Sequence, residues 1–91
     1  EYTATAMIGT AMLKGIRRGW LSAGSYQPAV DRAWLGVKAR TWGDGTLVDV
    51  CESTGAQASR EDYLRRKAIF GRDARGGAMG LLFATELAFG K

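Results

Sequence analysis

Apolar residues recur along this chain with helical spacing in three stretches and as a β-branched run in one, and these spacings predict its elements. Over residues 3–18, Ala4, Ile8, Met12 and Ile16 repeat every four positions, with Ala11 beside them. Thr3, Thr10, Lys14 and Arg17 fall on another face, so this stretch reads as a first helix. Gly9 and Gly15 lie inside it, each costing about 1 kcal/mol relative to alanine. Close approach of a neighbouring helix is the expected compensation. Gly19 follows the Arg17-Arg18 pair as a C-terminal cap. Residues 26–40 predict a second, amphipathic helix with Ser25 as N-cap and Pro28 in the first turn. Tyr26, Val30, Ala33, Trp34 and Val37 form its buried stripe, and Gln27, Asp31, Arg32 and Lys38 face away.

Trp42-Gly43-Asp44-Gly45 is a turn signal, and residues 46–50 read as one short strand with no visible partner. Residues 52–58 read as loop. Ser59 then opens a short helix as N-cap, with Asp62 at the capping-box position, and the helix runs to about Lys67. Residues 70–75 read as a second loop. The last helix, 76–89, carries Met79, Leu81, Leu82, Phe83, Leu87 and Phe89 and has almost no polar face. A helix apolar all round must be surrounded by protein, which places Leu82 among its most enclosed side chains.

Ninety-one residues allow one domain at most. Both ends break off beside helical patterns, so the chain is expected to be a single partial domain spanning residues 1–91, a piece of a longer protein. The net charge is +4, and twelve of the thirteen basic residues lie between Lys14 and Arg75 in separate short groups. Arg17-Arg18 and Arg65-Arg66-Lys67 each sit beside a helix end, where cations complement the dipole. No basic stripe interleaved with aromatics is present, so no nucleic-acid partner is expected. No apolar run reaches the about 18 residues of a membrane span, and no membrane partner is expected. Cys51 stands alone and forms no internal disulfide; it reads as a small buried side chain. The absence of histidine excludes Ser-His-Asp and Cys-His sites and histidine-ligated zinc within these residues.

Several segments together resemble the C-terminal part of the unsaturated rhamnogalacturonyl hydrolases of glycoside hydrolase family 105, related to the unsaturated glucuronyl hydrolases of family 88. Ala11-Met12-Leu13-Lys14-Gly15-Ile16-Arg17-Arg18-Gly19-Trp20 resembles an inner helix of that family. Residues 25–36 resemble the following outer helix. Asp44-Gly45 with residues 48–55 is similar to the turn, strand and Thr-Gly loop, and residues 72–86 to the closing inner helix. The resemblance implies an all-α fold, a segment of an (α/α)6 barrel with one short strand and turn. It implies an activity on 4,5-unsaturated uronyl oligosaccharides released by pectin lyases. Two aspartates upstream of these motifs promote hydration of the C4–C5 double bond, and the resulting hemiketal opens to release the neighbouring sugar. No metal or other cofactor is implied, and no catalytic residue falls within this chain. The compartment implied is the bacterial cytoplasm or periplasm.

The resemblance also marks candidate substrate-binding residues. Glu1-Tyr2-Thr3-Ala4 matches an acidic-x-hydroxyl-Ala motif at the pocket end of an inner helix, so Glu1 and Thr3 are placed to bond sugar hydroxyls. The alternative is that Thr3 caps the helix and Glu1 complements its dipole. Family members often have His-Gly where this chain has Arg75-Gly76. Arg75 is then a candidate partner for the uronate carboxylate, or else a structural partner of Asp73 or Glu86. Thr54, with Gly55, is a candidate for the pocket rim or an ordinary loop residue. Asp49 and Glu52 do not define an acid–base pair. Tyr26, Trp34 and Trp42 are able to stack on sugars, but Tyr26 and Trp34 lie on the apolar stripe and read as core.

Two readings from different classes follow. One is a segment of a glycoside hydrolase that meets its oligosaccharide substrate only within the parent enzyme. The other is a small helical module without catalytic activity. In either case the isolated chain is expected to form a homo-oligomer through its apolar helix faces.

Overall fold

A computed structural model describes residues 1–51 and 55–90. The element order is α1 (Tyr2–Arg17), α2 (Ala23–Ala39), β1 (Leu47–Cys51), α3 (Arg60–Leu64), β2 (Ala68–Gly71) and α4 (Ala74–Phe89). The chain is mainly helical with one small two-stranded sheet, in keeping with the expected helical segment of a barrel.

The pairing of residues fixes the direction of the three long helices. Tyr2 of α1 meets Thr41 just beyond α2, Thr5 approaches Gly36, and Gly9 approaches Ala33, so α1 and α2 run antiparallel. Tyr2 meets Gly80, Gly9 meets Phe83, and Lys14 and Arg17 meet Glu86, so α1 and α4 run parallel. Glycine makes this closeness possible. A Cβ at Gly9 would lie 2.5 Å from the Phe83 ring, and one at Gly76 would lie 2.9 Å from Leu47.

The buried face of α1 is Tyr2, Ala6, Gly9, Leu13 and Gly15, not the stripe through Ile8 and Met12. Ile8 is mainly exposed and Met12 only packs at the margin. Ranking faces by side-chain hydrophobicity picks out the large residues, whereas the core here selects the small ones that let α2 and α4 come close. Along α2, Val30 and Val37 are buried, and Ala33 and Trp34 pack against the core, as the stripe predicts. Tyr26 is exposed, because α2 starts at Ala23 and its first turn extends past the covered part of α1.

The strand at 46–50 finds its partner in β2, within a stretch that reads as a helix end and a loop. The two strands are antiparallel, pairing Leu47 with Gly71 and Cys51 with Ala68. A bulge between Val48 and Val50 holds Asp49 at φ +65°, a conformation that aspartate tolerates better than most residues. Ser59 caps α3 through the Asp62 N–H, as expected, but that helix stops at Leu64.

Helix α4 starts two residues earlier than its apolar run implies, at Ala74, because Asp73 is the N-cap. Its burial also differs from expectation. Phe83 is fully enclosed, with its ring edge-on to Trp34 at 5.6 Å. Leu82 is 63% exposed and Leu81 68%. The flank of α4 toward α1, β1 and Trp34 of α2 is covered, while the face with Leu81, Leu82 and Phe89 is exposed.

Candidate sugar-binding end of the parallel helices

Helices α1 and α4 begin side by side, at the end of the molecule closed by the sheet. Each first turn leaves backbone N–H groups without helical partners, and in each a carboxylate from the chain takes them up. The Glu1 carboxylate accepts from the Ala4 N–H at 2.7 Å, from the Thr3 hydroxyl, and from the Cys51 N–H on β1. Burial opposes ionisation of Glu1, but the hydrogen bonds from Thr3, Ala4 and Cys51 outweigh it and lower its pKa to about 2. Asp73 accepts from the Gly76 N–H at 2.8 Å. That bond is the main reason its carboxyl lies below the ordinary aspartate range; burial opposes it and Arg75 assists.

The candidate residues therefore divide as follows. Glu1 and Thr3 are brought together, with the Thr3 hydroxyl donating to Glu1. The N-cap of α1 is Glu1 and not Thr3. Arg75 stands at the start of the parallel helix α4, paired with Asp73 at 3.3 Å, its side chain 56% exposed. Glu86 instead binds Lys14 at 3.1 Å and Arg17 at 3.2 Å at the opposite end of the helices. Thr54 lies outside the described residues. Cys51 is partly exposed rather than core, with the Arg66 guanidinium 2.9 Å from its sulfur.

Several hollows lie at this end, one of them a shallow gap beside Glu1, Thr5 and Arg40, and two bear on sugar binding. A small one of about 180 Å³ is lined by Glu1, Asp49, Cys51, Tyr63, Arg66 and Lys67, among others. It gathers charges of both signs and a phenol, the groups that hydrogen-bond sugar hydroxyls and carboxylates. The larger, an open cleft of about 860 Å³, runs between α2 and α4, with Tyr2, Trp34, Leu47 and Leu81 among its walls and Lys38, Arg72 and Asp73 at its edges. Neither Glu1, Thr3 nor Arg75 lines it. Its surface is mainly apolar, which suits packing against another element better than binding a polar sugar. The smaller hollow is the better sugar candidate.

Sequence reasoning missed several residues here. The Thr41 hydroxyl gives its proton to the Val37 carbonyl at 2.7 Å, so it accepts from the Tyr2 hydroxyl at 2.9 Å. This bond ties the start of α1 to the end of α2. Asp73 as a cap was signalled by its place three residues before Gly76, at the foot of an apolar helix. Nothing in the sequence marks Asp49, whose position depends on the bulge. Among the described residues, no group of three or more His, Cys, Asp or Glu is arranged to hold a metal ion, and no helix is long and apolar enough to cross a membrane.

No curated protein and no solved structure matches this chain. The sequence profile of Glycosyl Hydrolase Family 88 matches residues 1–89. With nearly its whole length covered, the chain belongs to Glycosyl Hydrolase Family 88.

Proposed function

We propose that this chain is part of an unsaturated rhamnogalacturonyl hydrolase, a segment of an (α/α)6 barrel acting on 4,5-unsaturated uronyl oligosaccharides derived from pectin. In this reading the enzyme hydrates the C4–C5 double bond of the terminal uronate, using aspartates contributed from outside these residues. The observation that carries the reading is the helix order. Parallel α1 and α4, joined through an antiparallel α2, reproduce the inner–outer–inner repeat of such a barrel. Two features support the partial-domain reading: the uncovered apolar flank of α4, with Leu81, Leu82 and Phe89, and that of α1, with Met7 and Ile8. Glu1, Thr3 and Arg75 then stand at the pocket end of two adjacent inner helices. There the substrate exchanges hydrogen bonds with groups already held in place by the caps.

The test follows the loss of ultraviolet absorbance of the enol ether in unsaturated rhamnogalacturonan disaccharide. The 91-residue chain alone is expected to be inactive, and the full-length protein carrying it active. Turnover by the isolated chain that one substitution within it abolishes would overturn the reading. So would full-length protein that binds the disaccharide and leaves it intact.

A further inference from the structure

The outer face of the small sheet carries two aromatic rings that the packing does not account for. Trp42 precedes β1 and Phe70 lies on β2, opposite Val48 in the register. Their ring centres are 4.9 Å apart with planes at 79°. Such an edge-to-face pair leaves ring faces open at a right-angled corner. Trp42 is 48% exposed and Phe70 63%. Large rings in contact with each other but not with the core are a surface built to be covered.

Arg72 follows two residues after Phe70 and donates from one Nη to the Asp44 carbonyl, in the turn that begins at Trp42. That bond holds the guanidinium against the turn that Trp42 opens, at the edge of the cleft between α2 and α4, with most of its five N–H donors not used in it. The Asp44 carboxylate accepts the Thr46 N–H at 2.9 Å and also attracts the Arg72 guanidinium from across the turn. Apolar rings beside a fixed guanidinium match a pyranose that bears a carboxylate: the sugar's C–H face lies on a ring, and the carboxylate meets the arginine fork. The net charge of +4 favours an acidic chain over a neutral one.

We infer that Trp42, Phe70 and Arg72 form an accessory platform for an acidic pyranose in an oligosaccharide, outside the hollow at Glu1. The inference rests on the preceding proposal only for its choice of a uronate-bearing chain. The platform holds a sugar remote from the cleaved end and so raises affinity for longer chains.

The test uses the full-length protein with trigalacturonate, which lacks the unsaturated end, and follows tryptophan emission and titration calorimetry. Trp42→Ala and Phe70→Ala are each expected to weaken binding about tenfold or more, and Arg72→Gln to weaken it similarly. With the fully methyl-esterified trisaccharide, Arg72→Gln should change nothing. Circular dichroism confirms that each variant is folded, and Phe70→Tyr, which keeps the ring, should retain affinity. Turnover of the unsaturated disaccharide at saturation should be unchanged in all four variants. This separates the platform from the hydrolase reading, which fails only if the unsubstituted protein leaves the disaccharide intact. Unaltered trigalacturonate binding in folded Trp42→Ala and Phe70→Ala proteins would overturn the inference. So would sugar-independent burial of Trp42 that deepens with protein concentration, because another copy would then cover the face.

Discussion

Replacing Gly9 by alanine should destabilise this fold, although the same change in an ordinary helix stabilises it. A Cβ at Gly9 would stand 2.5 and 2.6 Å from two carbons of the Phe83 ring and 3.2 Å from the Ala33 Cβ. Carbon atoms rest at about 3.5–4.0 Å, so the ring would have to retreat by about 1 Å. Trp34 closes the space around it, with its ring centre 5.6 Å away, and Phe83 has no exposed surface to move into. Overpacking of this kind costs about 1–3 kcal/mol. The helix-propensity gain from glycine to alanine returns about 1 kcal/mol, so the net loss is up to about 2 kcal/mol. Gly36, midway along α2, provides the control. A Cβ there meets only ordinary contacts, with Arg40 at 3.9 Å and Thr5 at 4.0 Å, so Gly36→Ala should gain about 0.5–1 kcal/mol. Urea titrations followed by far-ultraviolet circular dichroism compare both variants with the parent chain at equal protein concentration. In a domain of this size, 1 kcal/mol also shifts the melting midpoint by about 4–8 °C. A Gly9→Ala chain that gains stability as Gly36→Ala does would refute the claim that α1 and α4 approach through this glycine.

Phe83→Ala should cost about 3–5 kcal/mol, whereas Leu82→Ala, on the uncovered flank, should stay within about 0.5 kcal/mol in the isolated chain; a reversed order in urea titrations would mean that α4 is rotated. Arg17→Met removes the bonds to the Glu86 carboxylate and to the Glu86 and Leu87 carbonyls, and amide hydrogen exchange in the last turn of α4 should quicken while the first turn is unchanged. Glu1 has a lowered folded pKa, so its contribution is complete above the unfolded value near 4.5 and is lost as pH falls toward about 2. That loss is on the order of 1–3 kcal/mol, and a Glu1→Gln chain should show a flatter fall in stability between pH 5 and pH 2 if the assignment holds. Sedimentation velocity should show the isolated chain self-associating at tens of micromolar, and a monomer with a cooperative melt would count against the partial-domain reading.

The sequence made the helices legible where a single local rule decided them. The α2 stripe from Val30 to Val37, the Ser59 cap and the β-branched run of β1 are each set by neighbouring residues, and each is found, whereas α2 begins after Ser22 and not at Ser25. What was illegible depended on partners distant in the chain. β2 is a strand only because β1 lies beside it, and Ala68-Ile69-Phe70-Gly71 is too short to announce itself. The face of α1 was misjudged because hydrophobicity favours Ile8 over Gly9, while close helix contact favours the glycine. Leu82 was misjudged for a related reason: the apolar run of α4 records how much surface is to be covered, not which part this chain covers. At the candidate sugar-binding end, the acidic-x-hydroxyl-Ala motif marked Glu1 and Thr3, which meet at the start of α1. It did not reveal that Cys51 of β1 also donates to Glu1, a contact between residues 50 positions apart.

The acidity of the carboxylates bears on what this segment contributes to catalysis. A general acid works best with a pKa near the working pH, which for a carboxyl requires an upward shift. The shifts here run the other way. Glu1 is held near 2 by its three donor residues. Asp73 is lowered chiefly by the Gly76 N–H, Glu86 by the Lys14 bond, and Asp44 by the Thr46 N–H. Each of these groups is committed to closing a helix end or a turn, and each stays ionised at neutral pH. An ionised carboxylate cannot donate a proton, as the reaction proposed above would require of its general acid. It can hold a helix start in register and present neighbouring hydroxyls and guanidinium groups at fixed positions. The physical chemistry of these residues thus favours a positioning role, with proton transfer left to carboxyls in a different setting. Glu1→Gln in the full-length enzyme should then raise KM or lower stability while leaving the pH profile of kcat unmoved. A shift of either limb of that profile would assign Glu1 to the proton transfer itself.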